Sequence, residues 1–125
     1  MAGDSQDQSG NKDHGQAEAV DLKAAGRDGT QKTAAGFDGR SGRITVPPSK
    51  TLQLGTGEFS LAMWVNTQDK LDDVLGDIIS QYDPKSRTGF NLSIKHNVGV
   101  CSAQSNYRQL QFGIDADKID PQWTD

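Results

Sequence analysis

Chemistry in this chain would have to come from a few polar clusters. Asp115-Ala116-Asp117-Lys118-Ile119-Asp120 puts three carboxylates into six residues. Calcium favours hard oxygen ligands of that kind, so Asp115, Asp117 and Asp120 are candidate calcium ligands. The run lacks the mid-loop glycine and terminal glutamate of a 12-residue calcium loop, and a solvated acidic loop is the plainer reading. Asn106-Tyr107-Arg108 joins an aromatic ring to an amide and a guanidinium, the mixture that binds a sugar or a peptide. Tyr82 and Trp123 are the other aromatics near loops.

The catalytic alternatives are thin. Glutamate occurs only at Glu18 and Glu58, neither with an aspartate two residues later. A Glu-x-Asp run, which could set two carboxyls about 5–5.5 Å apart on one strand face for a retaining glycosidase, is therefore missing. His14 and His96 are the only histidines and Cys101 the only cysteine. His96 and Cys101 are separated by an odd number of residues, which on extended backbone sends their side chains to opposite faces. Cys101 reads as a small buried apolar residue, or as the partner of a cysteine elsewhere. Gly55-Thr56-Gly57 lacks the third glycine of a dinucleotide fingerprint, because Ser60 stands there, and a strand pattern follows instead of a helix. The expectation is a protein that is not an enzyme.

The bulk composition agrees. One domain fits in 125 residues, with 33% hydrophobic residues and a net charge of −4. The signs are interspersed and no basic stripe is interleaved with aromatics, which argues against nucleic acid. No apolar run nears the roughly 18 residues of a membrane-spanning helix, so membrane insertion is not expected. A charged-then-apolar leader is not seen, which leaves the compartment unknown: a cytoplasmic protein, or a mature or internal piece of an exported one.

The elements that must position these clusters read as strands. Residues 1–16 carry no large apolar side chain after Met1 and read as a flexible or loosely ordered segment before a domain over 17–125. Short strands are expected at Ala19–Leu22, Ala34–Phe37 and Arg43–Val46, with Asp38-Gly39 turning between the last two. Glu58–Thr67 has the strongest pattern, apolar on both faces, and is expected to be the buried central strand. Val74–Tyr82, the alternating Phe90, Leu92 and Ile94, Val98–Ala103, and Leu110, Phe112 and Ile114 follow, with 83–89 as a polar hairpin turn. Only one helical turn, over Thr51–Leu54, is suggested. Such punctuation marks an all-β, antiparallel β-sandwich of the jelly-roll kind. The apolar complement is thin for the length, so the domain is expected to be incomplete at its C-terminal end.

One stretch carries a resemblance. Phe37-Asp38-Gly39, Ile44-Thr45-Val46-Pro47, Ser49 to Leu52 and Gly57 to Val65, with Asp7 to Gly15 ahead of them, resemble the laminin-G-like, concanavalin A-like jelly-roll family. The resemblance spans residue 7 to the end and is more specific for fold than for ligand. It implies a non-catalytic carbohydrate-binding or recognition module of a larger extracellular or cell-surface protein, with further domains beyond residue 125. The alternatives are a structural or adhesion domain with a protein partner and, last, a fragment of a glycan-active enzyme. Many such relatives bind calcium at loop carboxylates, so calcium is carried as the one cofactor expectation.

Overall fold

The computed structural model describes residues 3–55, 57–67, 76–96 and 108–116. All regular structure in them is β, and every strand pair is antiparallel. The chain forms two compact units, Met1–Asn66 and Thr67–Asp125.

The first unit is built on an interrupted ribbon. Strands β1 (Gln16–Glu18) and β2 (Val20–Ala24) follow one another with only Ala19 between them, at φ 51°. They pair with β4 (Arg43–Thr45) and β3 (Ala34–Phe37) respectively. Val20 lies opposite Phe37 and Glu18 opposite Arg43, so residues 38–42 form an excursion facing Ala19. Asp38-Gly39 thus opens a loop between two ladders and does not close a hairpin. Asp38 organises that loop: its Oδ1 accepts the N–H groups of Arg40, Ser41 and Gly42 at 2.8–2.9 Å, and its Oδ2 accepts the Ser41 hydroxyl. Three otherwise unsatisfied backbone donors are met by one short side chain, the usual reason for Asp in a turn. Gly42 is required where it stands, since a Cβ there would lie 2.9 Å from the Ala19 carbonyl oxygen.

Residues 3–15 fold back on this ribbon. Gly15 N–H donates to Ser5 O at 2.8 Å, and the Ser5 hydroxyl donates to Gly15 O at 2.6 Å. Asp7 accepts from Ser9 N–H, Ser9 Oγ and Asp13 N–H, while its own N–H donates to His14 Nδ1 at 3.1 Å. The Thr51 hydroxyl donates to Asp13 Oδ2. Polar side chains and backbone thus make the order of this loop, which contributes no large apolar residue.

Glu58–Thr67 differs from expectation. None of the described strands includes it, and its apolar residues are exposed: Leu61 40%, Met63 38% and Trp64 79%. Alternation along the chain prepares a strand, but a ladder needs neighbouring backbone about 4.7–4.9 Å away. No described strand is laddered to this segment. Trp64 instead carries the Arg27 guanidinium 4.1 Å from its ring centroid, a cation–π contact.

The second unit is a three-stranded meander of β5 (Gly76–Asp83), β6 (Thr88–His96) and β7 (Arg108–Asp115), with β6 in the middle. The expected hairpin over 83–89 is present, closed by the Asp83–Thr88 pair. Asp83 accepts Lys85 N–H at 2.9 Å and the Ser86 hydroxyl at 2.8 Å, and Arg87 takes φ 53°. Among the described residues the buried ones are both in β6, Phe90 on one face and Ser93 on the other. Phe90 packs diagonally on Phe112 with ring centroids 6.0 Å apart. Val98–Ala103 and Cys101 lie outside the described residues.

Candidate functional site

The β5–β6–β7 sheet separates its chemistry by face. On one side stand Ile79, Leu92 and Phe112 in one cross-strand row, Gln81, Phe90 and Ile114 in the next, and Ile94 opposite Leu110. On the other side the rows are Tyr82, Gly89 and Asp115; Ser80, Asn91 and Gly113; and Asp77, Ser93 and Gln111. Period-two alternation on β6 and β7 produces the division.

Strand β5 joins it only through a bulge. Asp77 is paired with Ser93 and Ile79 with Leu92, so Ile78 is the extra residue. In an unbroken strand Asp77 and Ile79 would share a face; the bulge sends Asp77 to the polar side and Ile79 to the apolar side. Ser93 Oγ donates to Asp77 Oδ1 at 2.7 Å, and Asn91 Nδ2 donates to the same oxygen at 3.3 Å and to Ser93 Oγ at 3.2 Å. The buried Ser93 hydroxyl therefore has both an acceptor and a donor. Gly113 stands beside Asn91 on β7, and a Cβ at that position would lie 2.7 Å from Asn91 Oδ1. Glycine inside a strand here marks close approach by a neighbouring side chain.

The far end of the polar face is a second group. Tyr82 Oη donates to Asp115 Oδ2 at 3.3 Å, and Arg87 Nε lies 3.7 Å from the same oxygen. Loss of water, followed by the Asp115 charge and its hydrogen bond, raises the Tyr82 phenol above its ordinary range. The ring is 40% exposed and lies across from Gly89, which has no side chain to cover it. Gly89 itself is at φ 123°, and a Cβ there would collide with the Gln81 carbonyl oxygen. From the Tyr82 row to the Asp77 row the face runs about 13 Å along β6.

The residues anticipated from sequence fall differently. Asp115 is at the end of β7, held by Tyr82 and Arg87. Asp117 and Asp120 lie outside the described residues, as do Asn106 and Tyr107. Arg108 opens β7 opposite His96. Among the described residues no group of three or more His, Cys, Asp or Glu side chains could hold a metal ion. No family model, curated protein or solved structure matches the chain.

Asp77, Asn91 and Ser93 were not anticipated as a site. The Asn-x-Ser alternation against Phe90, Leu92 and Ile94 was visible, but it reads as a solvated strand face. Asp77 is brought in by a bulge that has no sequence signature. The assembled face can donate and accept hydrogen bonds around an exposed phenol ring. It has two carboxylates and one guanidinium.

Proposed function

We propose that this chain is a non-catalytic recognition module of the laminin-G-like, concanavalin A-like jelly-roll type, and that it binds carbohydrate on the polar face of β5–β6–β7. The observation that carries the reading is the clustering of an exposed Tyr82 ring with Asp77, Asn91, Ser93 and Asp115 on one sheet face. Sugars present apolar C–H patches and dense hydroxyls, so an aromatic platform flanked by amide and carboxylate oxygens suits them. The jelly-roll assignment is supported by the opposite face, where Leu110, Phe112 and Ile114 are 50–69% exposed. An apolar sheet face of that kind is stable when a second layer covers it.

The test is binding to a glycan array, followed by titration of hits against Tyr82→Ala and Tyr107→Ala. The reading expects saturable binding that Tyr82→Ala weakens at least tenfold with the fold retained. Absence of binding to any glycan defeats it. The calcium proposal, resting on Asp115, Asp117 and Asp120, predicts that EDTA abolishes the same binding.

The second reading is an adhesion or structural domain with a protein partner, favoured by the same exposed Leu110, Phe112 and Ile114. It predicts partner capture lost in Phe112→Lys, with no saccharide affinity.

A further inference from the structure

The polar face has a hydrogen-bonding polarity of its own. Both protein donors near Asp77 converge on a single carboxylate oxygen: Ser93 Oγ and Asn91 Nδ2 each point at Oδ1. Oδ2 accepts no hydrogen bond from the described residues. The same network sets the Asn91 amide. Its Nδ2 must face the carboxylate and Ser93, so its Oδ1 turns outward over β7, into space left by the missing side chain of Gly113. Ser93 Oγ spends its proton on Asp77. What Asp77, Asn91 and Ser93 offer a ligand is therefore two acceptor oxygens, Asp77 Oδ2 and Asn91 Oδ1, with the Asn91 and Ser93 donors already engaged.

From this we infer that the Asp77–Asn91 cluster selects neutral polyhydroxyl saccharides, reading their hydroxyls as donors and rejecting sugars that carry carboxylate or sulfate. The inference rests on the carbohydrate reading above and narrows its ligand class. A hydroxyl can donate to each acceptor, and a carboxylate oxygen is the stronger of the two because it is charged. An anionic sugar brings acceptors and negative charge to a place that already has both, and like charges close together are strongly disfavoured. The Arg87 guanidinium does not reverse this, since it sits against Asp115 at the other end of the face.

Gly113 belongs to the same argument as a positioning residue. A side chain there would push the Asn91 amide off β7 and displace the second acceptor.

The experiment compares length-matched neutral, uronate-bearing and sulfated oligosaccharides, together with a simple diamine, by calorimetry and by the Asn91 side-chain amide resonances. Neutral oligosaccharides should bind and shift those resonances, and the acidic ones should bind at least tenfold more weakly. Asp77→Asn retains an acceptor for Ser93 but turns the outward oxygen into an amide donor. It should cost neutral-sugar affinity tenfold or more while the backbone amide spectrum stays native. Acidic sugars binding as well as neutral ones, an unchanged affinity in Asp77→Asn, or binding of the diamine alone would each overturn the inference. The first of these leaves the carbohydrate reading standing. Failure of every saccharide removes both.

Discussion

Ser93 and Asp77 meet across the β5–β6 ladder, hydroxyl to carboxylate at 2.7 Å, with Ile78 set aside between Asp77 and Ile79 as the extra residue of a bulge. The contact satisfies a side chain that is only 6% exposed. Deleting Ile78 should close the bulge and make Asp77 and Ile79 consecutive, which keeps Asp77 on the polar face opposite Ser93 and Ile79 on the apolar face. Urea denaturation should show Ser93→Ala to lose about 1 kcal/mol, whereas the deletion keeps the Ser93–Asp77 contact. Because the two groups share one network, Asp77→Ala and Ser93→Ala should cost less together than the sum of the singles.

Phe90 anchors the other face of β6. Its ring is 8% exposed and meets Phe112. Truncation to alanine is expected to cost about 3–5 kcal/mol, the range for buried aromatic side chains. Leu110→Ala, at a side chain 69% exposed, should fall well below that in the same denaturation series. Equal losses would mean that β7 is covered as deeply as β6.

Two glycines should respond in opposite ways. Gly89 has φ 123° and the Gln81 carbonyl against it, so Gly89→Ala should destabilise strongly and disturb the Asp83–Thr88 hairpin. Gly39 has φ 67° with open space around it, a conformation asparagine tolerates. Gly39→Asn should unfold at nearly the native temperature. Thermal melts of the two variants make the comparison.

Acid should open the first unit through Asp7 and Asp38. Asp7 is lowered to about 2, first by the Ser9 hydroxyl and then by backbone N–H groups. Asp38 is lowered further, first by Arg40 N–H and then by those of Gly42 and Ser41. A depressed folded-state pKa means that the contribution is full above the unfolded value of about 3.9 and is lost as pH falls below it. Carboxyl resonances should therefore show Asp7 titrating near pH 2, with Asp38 lower still. Asp38→Asn should flatten the decline in stability below pH 4.

Arg27 over Trp64 gives an optical handle. Arg27→Ala should shift the emission of Trp64 and cost about 0.5–1 kcal/mol at this exposed site. Trp64→Phe in the same background identifies which of the two tryptophans reports the change.

What the sequence determined by itself was the class of structure and the division of each strand. Turn residues and period-two patterns placed Ala34–Phe37, Arg43–Thr45, Gly76–Asp83, Thr88–His96 and Arg108–Asp115 close to their observed bounds, because those signals are local. Phe90, Leu92 and Ile94 facing away from Asn91 and Ser93 follows from the pleat alone. Pairing is not local, and there the tertiary structure decided. It matched β1 with β4 and β2 with β3 around the Asp38 loop, and it gave Glu58–Thr67 no place in a described ladder despite the strongest strand pattern in the chain. It also drew Asp77 to Asn91 and Ser93 through a one-residue bulge. Side-chain alternation records which face a residue could occupy. Which backbone lies beside it, and in what register, depends on residues far along the chain.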